Sequence, residues 1–241
     1  MRKPLTVLIV ATLVLAIVQP LAASEFYAIV WNLTGVKHPE AHLDVSGDKS
    51  QLRPGTDILF QVFNVDGLQL SDFTLQLNAR GFVSTAFAAP GIANLFDLSL
   101  GPMLIRVQVP SGANNEYASL RQTLGNEAIV VGIPPLYRQN GSPDAVGTLF
   151  PVTLGDFSRA ALLVANVSGA DVVVDVFVGT KGPDGTGKYS IRVKPNASGI
   201  LQITDPADAQ SHLVMSSTGL IVAQLVVDTG KQVHEVTVIP A

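Results

Sequence analysis

The chain has 241 residues, 47% hydrophobic and 14% charged, with a net charge of −4. It is too apolar for a disordered chain and long enough for two ordinary domains. The acidic balance, with no run of Lys or Arg, argues against nucleic acid or anionic membrane as a partner; with no cysteine, there is neither a disulfide framework nor a cysteine-linked lipid anchor.

Met1-Arg2-Lys3 is a short basic start, Leu5–Val18 is uncharged and mostly apolar, and Pro20 then precedes the small residues Ala22-Ala23-Ser24. This layout predicts a signal peptide over residues 1–23, hence an exported protein, periplasmic or extracellular. The alternative is an uncleaved anchor, since Pro4–Ala23 is 20 residues, about the length that spans a bilayer. Cleavage would remove Arg2 and Lys3 and no acid, leaving thirteen basic against nineteen acidic residues, net −6. Export without cysteine fits a bacterial protein.

Beyond this segment nearly everything reads as short strands. Glu25–Leu33 is a first strand, and Thr34–Pro54 is mostly loop with a short strand at Leu43 and Val45. Ile58–Val65 is rich in β-branched and aromatic residues, Asp66-Gly67 is a turn signal, and Phe73, Leu75 and Leu77 alternate with polar residues. Phe82–Phe87, the alternating Ile105, Val107 and Val109, and Ala128–Ile133 follow. Tyr117, Leu120 and Leu124 are spaced to line one side of a short helix. Pro134-Pro135 opens a stretch rich in Pro, Gly and Asn, which predicts a linker over residues 136–156. Strands are then expected at Ala161–Val167, Val172–Val178, Tyr189–Val193, Ile200–Ile203, Leu220–Val227 and Val233–Ile239. Leu220–Val227 is apolar enough for a strand buried on both faces.

Four landmarks recur in order. Asn64-Val65-Asp66-Gly67, Asn78-Ala79-Arg80-Gly81, Leu104–Gln108 and Ile133-Pro134 are echoed by Asn166-Val167-Ser168-Gly169, Asn196-Ala197-Ser198-Gly199, Leu220–Gln224 and Ile239-Pro240. Two copies of one β-rich domain are expected, spanning residues 24–135 and 157–241. Asn64 and Asn78 lie 14 residues apart but Asn166 and Asn196 lie 30; Gln108 and Ile133 lie 25 apart but Gln224 and Ile239 lie 15. The excess predicts two surface loops, at 111–124 and 179–188, where binding tends to be placed. Asn114, Tyr117, Lys181, Asp184 and Lys188 are the interaction candidates.

Chemistry is sparse. Gly182–Lys188 nearly matches a phosphate-binding loop, but Tyr189 stands where Ser or Thr is needed and a strand follows where a helix is needed. His38, Glu40 and His42 would share one face of a strand and approach a metal, though Pro39 disfavours the strand. Asp171 with Asp175 and Asp205 with Asp208 are carboxylate pairs that could meet in a calcium site between loops, though no dense Asp-x-Asp cluster is present. No Gly-x-Ser-x-Gly elbow is present, so a hydrolase would need a Ser-His-Asp site assembled from distant loops. No cofactor is implied.

With Asn-Val-x-Gly after a buried strand and Asn-Ala-x-Gly between strands, the pattern resembles tandem Ig-like β-sandwich repeats of exported bacterial proteins of unassigned function. The resemblance covers residues 56–135 and 157–241. It implies an all-β fold of two tandem Ig-like sandwiches with about seven strands each, preceded by a signal helix. It also implies spacer, adhesion or assembly roles with a protein or surface-glycan partner, and no catalytic residues. A ligand-binding module using the loops at 111–124 and 179–188 is the alternative.

Overall fold

The structure, a computed structural model, describes residues 24–31, 40–46, 53–86, 101–110, 117–124, 127–133, 145–149, 159–178, 188–205, 208, 213–228 and 233–238. The expected signal peptide lies outside these. Among the described residues no helix is long and apolar enough to cross a membrane. Sixteen strands run through the chain: β1 (Ser24–Val30), β2 (Glu40–Ser46), β3 (Asp57–Phe63), β4 (Gln69–Gln76), β5 (Phe82–Ala86), β6 (Met103–Val109), β7 (Tyr117–Leu124), β8 (Glu127–Ile133), β9 (Ala145–Leu149), β10 (Arg159–Asn166), β11 (Val172–Val178), β12 (Tyr189–Val193), β13 (Ser198–Ile203), β14 (Leu213–Ser217), β15 (Ile221–Asp228) and β16 (Val233–Val238). The fold is all-β.

The strands make four antiparallel sheets of four: A, in the order β1-β6-β3-β4; B, β5-β2-β7-β8; C, β12-β11-β14-β9; and D, β13-β10-β15-β16. Adding eight to every label of A gives C, and adding eight to every label of B gives D. The first and last eight strands thus share one strand order. It has one strand more per set than the seven expected, and β1 pairs with β6, whereas the first strand of an immunoglobulin sandwich pairs with the second.

Several expectations change here. The Asn78–Gly81 and Asn196–Gly199 turns are equivalent, each lying between the fourth and fifth strands of its set. Asn64, however, follows the third strand of its set, and Asn166 follows the second. Likewise Leu104–Gln108 belongs to the sixth strand, and Leu220–Gln224 leads into the seventh. The unequal spacings therefore count one strand against two, not an inserted loop. Residues 111–124 include β7, so Tyr117 sits on a strand. The Tyr117, Leu120 and Leu124 spacing is overridden because β7 is hydrogen-bonded on both sides, to β2 and β8. The 136–156 linker contains β9, which pairs with β14 at the edge of sheet C. A smaller disagreement remains. Residues 179–188 join β11 to β12 where residues 64–68 join β3 to β4, and residues 110–116 join β6 to β7 where 218–220 join β14 to β15.

Alternation along each strand produces three apolar layers. Phe26, Val30, Leu43, Phe60 and Ile105 fill the space between sheets A and B, with Phe60 and Phe73 stacked at 5.1 Å. Leu162, Val174, Val176, Met215 and Leu225 fill the space between sheets C and D. A third cluster joins the two: Tyr27, Ile29, Trp31, Phe63 and Leu104 from the outer face of sheet A meet Leu163, Ala165 and Val226 from the outer face of sheet D, with Val167 beside them. The sheets therefore stack B, A, D, C. Strands β1 and β6 of A and β10 and β15 of D are buried on both faces, which is why β1 and β15 lack a polar face over much of their length. The outward face of B carries His42, Asp44 and Ser84 beside the exposed Phe82, and that of C carries Asp175, Ser190 and Arg192 beside Val173 and Phe177.

The turns lock the seam between A and D. Asn64 Oδ1 accepts from the amides of Asp66 (3.0 Å) and Leu68 (2.9 Å), and Gly67 N–H returns to Asn64 O (3.0 Å). Asn78 builds the same turn on Arg80, Phe82 and Gly81. The first of these turns docks on the 194–198 turn: Ser198 N–H donates to Val65 O (3.3 Å), and Ser198 Oγ donates to Pro102 O. Gly67 has φ +83°, and a Cβ there would stand 2.2 Å from Pro195 O and 2.9 Å from Ala197 N. Gly55 has nearly the same φ, +84°, with nothing within 4 Å. Gly55→Ala should therefore cost only the backbone strain, about 1 kcal/mol, and Gly67→Ala about 2–4 kcal/mol because the seam must also open. Equal urea midpoints for the two variants would show that the seam tolerates a methyl group.

Candidate functional site

Two clusters of ionised side chains stand out. The first lies at the edge of sheet C. Lys188 and Tyr189 open β12, while Asp205 and Asp208 follow β13. Tyr189 OH donates to Asp208 Oδ2 (2.6 Å) and accepts from Asp205 N–H (3.3 Å). The Lys188 ammonium pairs with Asp208, lies 3.5 Å from Asp205 Oδ2, and stands 5.9 Å from the Tyr189 ring centroid. Asp208 is buried. Burial pushes its carboxyl up, but hydrogen bonds from Lys188 and Tyr189 and the Lys188 charge outweigh this and hold it below the usual range. The hydrogen bond to Asp208 pushes the Lys188 ammonium up, against desolvation and with help from the charges of Asp208 and Asp205. Both stay ionised at neutral pH. Asp208 thus accepts from both Tyr189 and Lys188. The cluster fastens the chain after β13 to the start of β12.

The second cluster rims the A–D layer. Glu25 and Tyr27 of β1 lie opposite Gln108 and Arg106 of β6. The Glu25 carboxylate accepts from Tyr27 OH (2.7 Å), from Gln108 Nε2 (3.2 Å) and from Arg106, whose guanidinium lies 6.0 Å from the Tyr27 ring centroid. Burial pushes Glu25 up, yet the hydrogen bonds from Tyr27 and Arg106, the Arg106 charge and Gln108 together bring it below its ordinary value. Sequence reasoning placed Arg106 and Gln108 on a polar face but missed their partner. Glu25 and Tyr27 alternate at the same period, which is the signal that pairs them.

The other candidates do not converge. Glu40 and His42 lie two positions apart on β2, and His42 is half-buried on the outer face of sheet B; His38 lies outside the described residues. Among the described residues no group of three His, Cys, Asp or Glu is placed to hold a metal ion. Asp205 and Asp208, paired by sequence as possible calcium ligands, are met by Lys188 instead. Asn114, Lys181 and Asp184 lie outside the described residues, Tyr117 lies on β7, and Lys188 makes the contacts described above.

The Glu25 group makes a pH-dependent contribution with a defined sign. Its folded pKa is depressed, so the stabilisation is full above the ordinary glutamate value of about 4.3 and is lost as pH falls through the lower folded value. Glu25→Gln should cost about 1–3 kcal/mol at neutral pH, a gap to wild type that narrows below about pH 4. Urea titrations at both pH values check this, and a gap independent of pH would exclude the ion pair as its source.

No protein-family model, no curated protein and no solved structure matches the chain. The candidate sites rest on the geometry alone.

Proposed function

We propose that this chain is a non-catalytic exported protein, bacterial in origin, that acts as a structural, adhesion or assembly module at the cell surface or in the periplasm. In this reading residues 1–23 are a signal peptide, and the chain is two copies of one eight-stranded sandwich. The observation that carries it is the A–D layer. Burial of the central strands of both inner sheets on both faces joins the halves into one four-layer body, as a spacer or scaffold requires. The reactive side chains described are spent on fastening, which also favours a mechanical role over a chemical one.

A ligand-binding reading has one specific support. The connection at 179–188 is twice as long as its counterpart at 64–68, and Lys188 and Tyr189 anchor its C-terminal end to Asp205 and Asp208. A long connection on a firm base suits a contact loop. A panel of glycosidic, ester and peptide substrates offered to the chain from Ser24 onward should give no turnover. Turnover abolished by a single substitution would overturn the non-catalytic reading. Glycan or protein binding lost when residues 180–187 are trimmed would move the function to that loop.

A further inference from the structure

Eight strands stand at sheet edges, and an open edge is a template for another chain. Most are covered: β12 and β13 lie against each other, as do β8 and β16, with β1 beside β8 and β9 beside β16. Among the described residues, strand β4 packs chiefly on β3, and the shorter β5 on β2. The eight residues of β4, Gln69–Gln76, contain no Pro, Lys or Arg to blunt pairing. Leu68 and Leu70, at 64% and 42% exposure, are the most exposed large apolar side chains among the described residues.

We propose that β4 pairs antiparallel with β4 of a second copy of this chain, joining two A sheets into one across a two-fold axis. The ladder fixes which backbone groups are free. Leu77 N–H donates to Thr56 O, and the register continues as Leu75 opposite Ile58, Phe73 opposite Phe60 and Ser71 opposite Val62. By the alternation of an antiparallel pair, Ser71, Phe73 and Leu75 turn their amides to β3, while Asp72, Thr74 and Gln76 turn theirs to the open edge; the register shift between Val62 and Phe63 interrupts the alternation at Leu70. A two-fold axis perpendicular to the sheet keeps each face on its own side, so the pairing must centre on a residue.

Two registers use nearly the whole strand. One, centred on Asp72, sets two carboxylates directly opposite, which is destabilising. The other, centred on Phe73, sets Asp72 opposite Thr74 and Leu70 opposite Gln76. It places the two Phe73 rings in a non-hydrogen-bonded pair, where opposed side chains come closest. Each ring already stacks on Phe60, so the A–B layers of the two copies become continuous. Charge thus selects the register that also extends the core.

The dimer gives the assembly reading its partner and rests on it. Catalytic turnover would overturn that reading and leave the dimer, whereas a monomer would overturn the dimer alone. Sedimentation equilibrium of the chain from Ser24 onward, from about 1 μM to about 1 mM, should show a monomer–dimer equilibrium. Thr74→Pro removes an outward amide without touching the β3 ladder, as edge strands allow, and Leu70→Lys places a blunting charge on an exposed position. Each should weaken the dimer at least about tenfold while circular dichroism shows the strand content kept. A wild-type chain monomeric throughout, or a dimer equally strong in both folded variants, would overturn the proposal.

Discussion

The A–D layer is the constraint on which the rest depends. A sheet in a two-layer sandwich needs one apolar face, but β1 carries Phe26, Ala28 and Val30 toward sheet B and Tyr27, Ile29 and Trp31 toward sheet D. Leaving that second face in water would expose Ile29 and Trp31 together, each now fully buried, at about 1.5–3 kcal/mol for a buried apolar side chain such as Ile29. Sheet D makes the same demand through Leu163, Ala165 and Val226. Neither half is complete without the other, although each has its own core.

The layer also dictates where polar chemistry sits. Along the outer face of β1 the apolar residues end at Tyr27, and Glu25 follows with Arg106 and Gln108 around it. Tyr27 belongs to both regions, its ring in the layer and its hydroxyl on the carboxylate. At the opposite rim the contact passes to backbone, where the Asn64 turn meets Pro195 and Ser198. Asparagine supplies the local acceptor that closes the turn, and glycine supplies the positive φ and the missing Cβ that allow two backbones to touch.

Much of this was legible in the sequence because strand alternation and turn chemistry are local. The strands at Ile58–Val65 and Tyr189–Val193 emerge near their expected bounds, and the continuous apolar run at Leu220–Val227 marks a strand buried on both faces. Strand pairing was not legible, since a landmark such as Asn-Val-x-Gly records a turn after a strand and not which strand it is. Asn64 and Asn166 look alike yet follow different strands of the order, and that offset turned strands into apparent loops at 111–124. Tyr117, Leu120 and Leu124 suggested a helix because their spacing is blind to the partners β2 and β8. The Lys188 cluster was half visible: Lys188, Asp205 and Asp208 were each singled out, but the contact depends on β12 and β13 lying side by side.

Sheets B and C turn residues such as Asp44, Ser84, Ser190 and Arg192 outward, and the described sheets stack four layers deep. Fusion through the A–D layer is the central claim, and differential scanning calorimetry of the chain from Ser24 onward tests it most directly. One transition, with calorimetric and van't Hoff enthalpies equal, is the expected result. Two resolved transitions, each with about half the enthalpy, would show that the halves unfold independently and that the layer between them does not hold.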